Sequence, residues 1–139
     1  MRTMDESAWL KYRDHFPAGF RPGDMPFPRQ LSYTGAIQCL AHPIPPARLL
    51  EALAMWLAAR GEDEIYLFVT ETDRTIKDRD YLVPGSELTP ATFQQIEGYF
   101  YEKVLSSKTL SWAIFIDSNG VVHVAGDPDL YRRLASALS

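Results

Sequence analysis

The sequence has a single cysteine, no long apolar run and no excess of basic charge. Because Cys39 is the only cysteine, an internal disulfide is excluded, and such cysteine-poor chains are typical of reducing compartments. No stretch approaches the ~18 apolar residues that a membrane-spanning helix needs. Residues 1–6 lack the apolar segment of a signal peptide. We therefore expect a soluble, cytoplasmic protein without a membrane partner.

Charge and size narrow the function classes further. The 14 basic and 18 acidic side chains give a formal net charge of −4, and the basic residues form no run along the chain. Nucleic-acid-binding proteins concentrate lysine and arginine on one face, so the composition predicts no nucleic-acid partner. With 139 residues, of which 46% are hydrophobic and 23% charged, residues 1–139 are expected to form one domain.

Hydrophobic periodicity and turn residues predict an α+β fold, with helices packed on a mostly antiparallel or mixed sheet. The expected element order is α-β-α-β-β-α-β-β-α. The predicted helices cover about 5–16, 47–60, 89–105 and 127–138, and the predicted strands cover about 32–40, 65–70, 81–83, 112–117 and 121–125. A stretch rich in proline and phenylalanine, residues 17–30, predicts an ordered loop lying over the domain surface.

The last two strands form a hairpin whose register depends on its turn. Ser118-Asn119-Gly120 is compatible with a two-residue Asn-Gly turn, or with a three-residue loop that has Gly120 in the left-handed conformation. The three-residue loop pairs Ile116 with Val122 and places alternate apolar residues of both strands on one face. We prefer this register because it keeps His123 off that face.

The same periodicity predicts which side chains form the core and which do not. Met55 and Leu10 lie off the apolar stripes of their helices, so we expect Met55 to be exposed and Leu10 to lie outside the core. Nine side chains should be among the most buried: Leu53, Trp56, Phe68, Phe100, Trp112, Ile114, Ile116, Val124 and Leu134.

Two residue pairs are candidates for chemistry, and each also has a structural explanation. Cys39 and His42 have C-x-x-H spacing, but zinc needs further ligands, and a cysteine in an apolar strand packs as a small hydrophobe. Asp117 and His123 are diagonal neighbours in the preferred register, so the carboxylate could orient the imidazole as a general base. Asp117 is equally a turn residue that binds backbone N–H groups. The sequence contains no motif for a metal or a cofactor, and we expect neither.

Acidic side chains are concentrated between positions 62 and 80, and Tyr99 is one of several aromatic residues that are less easily buried together. Calcium-loop spacing, D-x-D-x-D-G, is absent. The carboxylates therefore form either a solvated face or a negative surface that attracts a basic protein partner. The candidate binding residues are Glu62, Asp63, Glu64, Glu71, Asp73, Asp78, Asp80 and Tyr99.

Three functions remain open. The favoured one is a small acidic binding protein without catalysis, and a bacterial immunity or antitoxin-like protein that covers its toxin is one form of it. The first alternative is a small enzyme or small-ligand domain with His123 and Asp117 in a pocket under residues 17–30. The second is a homo-oligomeric subunit, such as a homodimer that buries Met55 or Tyr99. Binding is favoured because it needs only aromatic anchors and complementary charge, whereas catalysis needs several converging groups.

Overall fold

Seven strands and four α-helices make up the described part of the computed structural model, which covers residues 1–12, 37–69, 80–96 and 102–137. The strands are β1 (Arg2–Thr3), β2 (Gln38–Cys39), β3 (Glu64–Val69), β4 (Tyr81–Pro84), β5 (Lys103–Ser106), β6 (Ala113–Ile116) and β7 (Val122–Ala125). The helices are α1 (Glu6–Tyr12), α2 (Pro46–Ala59), α3 (Pro90–Phe93) and α4 (Pro128–Ser136), and a 3-10 turn spans Gly85–Glu87.

The strands form one sheet in the order β1-β4-β3-β5-β6-β7-β2. Every pairing between these strands is antiparallel, which confirms the α+β class. The predicted element order is wrong in two places, because strands β1 and β5 were not expected. Within the described ranges, each helix is too short or too polar to span a membrane.

The segment after Pro90 departs most from the sequence prediction. The spacing of Phe93, Ile96 and Val104 predicts one helix to about residue 105, but the structure has the short helix α3 and later the strand β5. All three side chains are buried, Val104 in a strand that lies between β3 and β6. A short apolar run fits a helical stripe and a doubly covered strand equally well, so periodicity could not separate them.

Different apolar clusters cover the two faces of the sheet. One face packs against α2, α3 and α4, and its cluster includes Leu50, Leu53, Trp56, Ile65, Phe93, Trp112, Ile114, Ile116, Val122, Val124, Leu130 and Leu134. The opposite face packs against α1, and its cluster comprises Met4, Trp9, Tyr66, Phe68, Leu82, Val104, Leu110, Ala113, Phe115 and Ala125. Burial on both faces explains why the central strands are almost continuously apolar.

The predicted core is confirmed wherever the structure describes it. Eight of the nine predicted residues are at most 5% exposed, and the ninth, Phe100, lies outside the described residues. Met55 and Leu10 are 58% and 47% exposed, as predicted. The proline-rich stretch at 17–30 also lies outside the described residues, so the expectation of an ordered loop there stays a prediction.

Helix α2 begins and ends within one residue of the predicted bounds, 47–60. Pro46 occupies the first helical turn, where its missing N–H costs no hydrogen bond. Gly61 follows the helix with a φ of 71°, which a side chain would disfavour. The buried stripe of the helix contains the predicted core residues Leu53 and Trp56, together with Leu49, Leu50 and Leu57.

Arg60 connects the end of α2 to the start of α4. Its guanidinium carbon lies 4.4 Å from the ring centroid of Trp56, and its Nη1 lies 3.4 Å from Oδ2 of Asp127. The other carboxylate oxygen of Asp127 accepts hydrogen bonds from the backbone N–H groups of Asp129 and Leu130, so Asp127 caps the start of α4. One carboxylate therefore holds two helix ends together.

The β6–β7 hairpin has the predicted three-residue turn. Gly120 has a φ of 80°, and its N–H donates to the carbonyl oxygen of Asp117 at 3.0 Å. The N–H of Asp117 donates in turn to the carbonyl oxygen of Val121 at 3.0 Å. Ile116 therefore pairs with Val122, and the preferred register is confirmed.

Replacing Trp112 with alanine should lower the free energy of unfolding by about 3–5 kcal/mol, through lost transfer energy and the cavity left behind. Trp112 is fully buried and meets the ring of Trp56 edge-on, at a centroid distance of 5.4 Å. Denaturant titration measures the change, with Met55→Ala as the exposed control. A loss below about 1 kcal/mol would contradict the burial of Trp112.

Replacing Gly120 with alanine should cost about 1–2 kcal/mol, because a side chain disfavours the left-handed backbone that the turn requires. Gly85→Ala is the control, since a Cβ there would make only an ordinary contact at 3.5 Å with the carbonyl oxygen of Asp63. Thermal or denaturant unfolding of both variants checks the prediction. Equal stability of the two variants would refute it.

Candidate functional site

The first candidate site is a groove of about 510 Å³ beside the end of α2 and the start of β3. Three of the eight predicted binding residues line it together, the consecutive carboxylates Glu62, Asp63 and Glu64. The rest of its wall comes from α2 and from the segment around the 3-10 turn: Ala54, Leu57, Ala58, Pro84, Gly85 and Ser86. The groove thus combines negative charge with small side chains.

The three carboxylates have different surroundings. Oε2 of Glu62 is buried and has no hydrogen-bond partner among the described residues. Asp63 is exposed. Glu64 is partly buried and accepts a hydrogen bond from Nζ of Lys108 at 2.7 Å, while Nη2 of Arg2 lies 4.0 Å from its other oxygen. Two of the three carboxylates, Glu62 and Asp63, therefore carry most of the uncompensated negative charge in the groove.

The ion pair of Glu64 follows from the strand register. Ser106 pairs with Tyr66 at the end of β5, and the turn that follows brings Lys108 beside Glu64. The hydrogen bond from Lys108 to Glu64 raises the pKa of the lysine, against a weaker opposing effect of burial. Lys108 therefore stays charged at neutral pH and compensates Glu64.

Asp80 does not belong to an exposed acidic surface, so that part of the prediction is wrong. Its exposed fraction is 1%, and its carbonyl oxygen accepts a hydrogen bond from the N–H of Met4 at 3.2 Å. The alternating charges of residues 78–80 suggest a solvated loop. They do not indicate that β1 pairs with β4, which begins directly after Asp80. The remaining predicted binding residues lie outside the described ranges: Glu71, Asp73, Asp78 and Tyr99.

The second candidate site is the side-chain pair on the β6–β7 hairpin. Nε2 of His123 lies 3.0 Å from Oδ2 of Asp117. Oδ1 of Asp117 accepts hydrogen bonds from the backbone N–H groups of Asn119 and Val121, at 2.8 and 3.0 Å. Phe115 stacks on the imidazole, with ring centroids 5.8 Å apart. The predicted diagonal neighbours therefore meet, and the two side chains are 13% and 25% exposed.

The surroundings of Asp117 lower its pKa. Partial burial alone would raise this pKa, because loss of water disfavours the charged form. The hydrogen bonds from His123, Val121 and Asn119 stabilise the carboxylate more than burial destabilises it. Asp117 therefore has both roles that the sequence suggests, since one oxygen closes the turn and the other orients His123.

Cys39 is exposed, so the expected packing of this residue as a small hydrophobe is wrong. It lies on β2, which stands at one end of the described strand order and pairs with β7. Its Sγ donates to the carbonyl oxygen of Leu40 at 3.3 Å. The pairing of β2 with β7 places Cys39 opposite His123, a relation between distant segments that no local sequence signal indicates.

The described residues contain no group of three or more histidine, cysteine, aspartate or glutamate side chains arranged to hold a metal ion. His42, the sequence neighbour of Cys39 in the C-x-x-H pair, is exposed. A second groove, of about 290 Å³, lies around the exposed Met55 where α2 approaches the end of α4. The homo-oligomer that would bury Met55 stays a prediction.

Comparison of the chain with protein-family models, with curated proteins and with solved structures finds no match. The geometry of the two candidate sites is therefore what indicates a function. The groove offers charge and shape to a partner, and the hairpin pair offers an oriented imidazole.

Replacing Asp117 with asparagine should remove a contribution to the free energy of unfolding that depends on pH. The folded-state pKa of Asp117 lies below its ordinary value of 3.8, so the ionised form stabilises the fold above that value. The contribution is lost as the pH falls through the folded-state pKa. The difference in free energy of unfolding between wild type and Asp117→Asn should therefore be largest near neutral pH and shrink below about pH 4.

Denaturant titrations of both proteins from about pH 7 to about pH 2 measure this difference. Asp63→Asn removes an exposed carboxylate and is the matched control, which should change the stability little. A difference between wild type and Asp117→Asn that stays constant over this range would show that the hydrogen bonds of Asp117 do not favour its charged form.

Proposed function

We propose that this protein is a binding protein without catalysis, which takes a basic segment of a partner protein into the groove beside Glu62 and Asp63. The observation that carries the proposal is the buried Oε2 of Glu62, which has no hydrogen-bond partner among the described residues. A carboxylate oxygen removed from water without a donor destabilises the fold. A lysine or arginine side chain from a partner supplies a compensating charge, and it supplies the missing donor once the Glu62 side chain turns Oε2 into the groove.

The shape of the groove supports a long cationic side chain. Ala54, Ala58 and Gly85 contribute little or no side-chain volume to its wall. Lysine and arginine carry an apolar stem and a charged head, so the stem can lie along the alanines while the head reaches Glu62. The open end of the groove leaves the rest of the partner outside, as expected for a segment of a protein.

Lys108 and Arg2 make the charge of the groove uneven. Both lie on the Glu64 side, where they compensate that carboxylate. A partner's cation is repelled from this side and attracted towards Glu62 and Asp63. The net charge of −4 adds a weaker long-range attraction for a basic partner. An immunity or antitoxin-like protein, which covers a basic toxin, is one form of such a binder.

The Glu62→Lys/Asp63→Lys variant should lose binding to the partner. Affinity capture from the source cell with the immobilised chain identifies the partner, and titration with the purified partner measures the affinity. We expect the affinity to fall by about tenfold or more, because the variant both removes the carboxylates and repels a basic segment. The remaining binding should depend less on salt.

Glu51→Lys is the control with a single charge reversal, because Glu51 is exposed and lines the groove around Met55 instead. The affinity of this variant should stay within about twofold of the wild-type value, which corresponds to a few tenths of a kcal/mol in binding free energy. Circular dichroism establishes that each variant is folded. If both variants bind alike while His123→Ala abolishes the cellular activity of a folded protein, the binding proposal is wrong and the enzyme alternative replaces it.

A further inference from the structure

Cys39 and His123 are close neighbours across the strands β2 and β7, although 83 positions separate them in the sequence. The N–H of Leu40 donates to the carbonyl oxygen of Val122 at 2.9 Å, so the adjacent pair is a hydrogen-bonded one. Pairs alternate along antiparallel strands, which makes Cys39 and His123 a non-hydrogen-bonded pair. Side chains of such pairs lie on one face with Cβ atoms about 4.5–5.5 Å apart.

Asp117 decides which nitrogen of His123 carries the hydrogen. Two backbone N–H groups donate to Oδ1, and Oδ2 lies 3.0 Å from Nε2. An ionised carboxylate only accepts hydrogen bonds, so Nε2 is the donor and carries the hydrogen. In the neutral ring Nδ1 is then an acceptor, and no residue in the described ranges donates to it. The stacked ring of Phe115 fixes the plane of the imidazole.

We infer that Cys39, His123 and Asp117 form a thiol-reactive site at which a small disulfide compound modifies Cys39. Cys39 is an exposed residue, and the weak hydrogen bond from its Sγ to the carbonyl oxygen of Leu40, at 3.3 Å, breaks when the side chain rotates. We expect the rotated thiol to reach Nδ1 of His123, because the two residues are paired across β2 and β7. This arrangement joins a nucleophile, a base and a carboxylate that orients the base.

The reaction is a thiol–disulfide exchange that needs no partner beyond the small disulfide itself. The S–H bond of Cys39 breaks and its proton passes to Nδ1 of His123. The thiolate attacks one sulfur of the disulfide, a new S–S bond forms at Cys39, and the original S–S bond breaks. The departing thiolate takes the proton from His123 and leaves as a thiol. Cys39 is oxidised to a mixed disulfide, and the other sulfur is reduced.

Reaction with the neutral probe 4,4′-dithiodipyridine at about pH 7 tests the site, because the released thiopyridone is followed by absorbance. Cys39 is the only cysteine, so Cys39→Ser provides the blank. His123→Gln should slow the reaction about tenfold or more, as expected for loss of a positioned base. His42→Gln is the control for a histidine near Cys39 in sequence only, and it should react within about twofold of wild type.

Asp117→Asn tests the orientation of His123 while keeping the ring. The two backbone donors require the asparagine oxygen, so its NH₂ group faces Nε2 and donates to it. The ring hydrogen then moves to Nδ1, which can no longer accept the thiol proton. We expect Asp117→Asn to react as slowly as His123→Gln, and ¹⁵N NMR of the imidazole to show the exchanged tautomer.

Three results would overturn the inference. The first is a His123→Gln rate within about twofold of wild type, and the second is a wild-type rate no greater than that of free cysteine in the same buffer. The third is an exchanged tautomer in Asp117→Asn without loss of rate. Circular dichroism verifies folding, and if His123→Gln is unfolded, the rate and tautomer of Asp117→Asn decide. The test is independent of partner binding in the groove.

Discussion

The turn between β6 and β7 determines which side chains of the hairpin lie on the face covered by α2, α3 and α4 and which lie on the opposite face. With three residues in the turn and Gly120 in the left-handed conformation, Ile116 pairs with Val122 on the face covered by α2, α3 and α4. A shift of one residue would exchange the two faces of β7. His123 would then enter the main apolar cluster, where an imidazole would need a buried partner.

The same register creates the second site. Because Ile116 and Val122 take one face, Phe115, Asp117 and His123 share the other, and the stacked ring and the carboxylate both contact the imidazole. The pairing of β2 with β7 then adds Cys39 to this face. The thiol, the imidazole and the carboxylate thus come together through backbone geometry and not through a sequence motif.

Local signals in the sequence were sufficient to predict the helix ends and the hairpin turn. Pro46 and Gly61 mark the ends of α2, and the turn residues before Val121 specify the hairpin. The nature of β5 and the burial of Asp80 depend instead on which strands lie alongside, and strand order is a relation between distant segments. Of the acidic site, the sequence could predict the carboxylates at 62–64, but not that Lys108 would compensate one of them.

Both ends of the described strand order come from residues 1–40. β1 pairs with β4 and β2 pairs with β7, so Arg2–Thr3 and Gln38–Cys39 lie at opposite ends of the strand order. During synthesis the ribosome releases these segments long before residues 122–125 exist. The early segments therefore cannot pair until their partner strands have been synthesised, and contacts between such distant segments form slowly. Until then Met4 and Trp9 have no completed sheet to cover, and the nascent chain exposes apolar surface that molecular chaperones recognise.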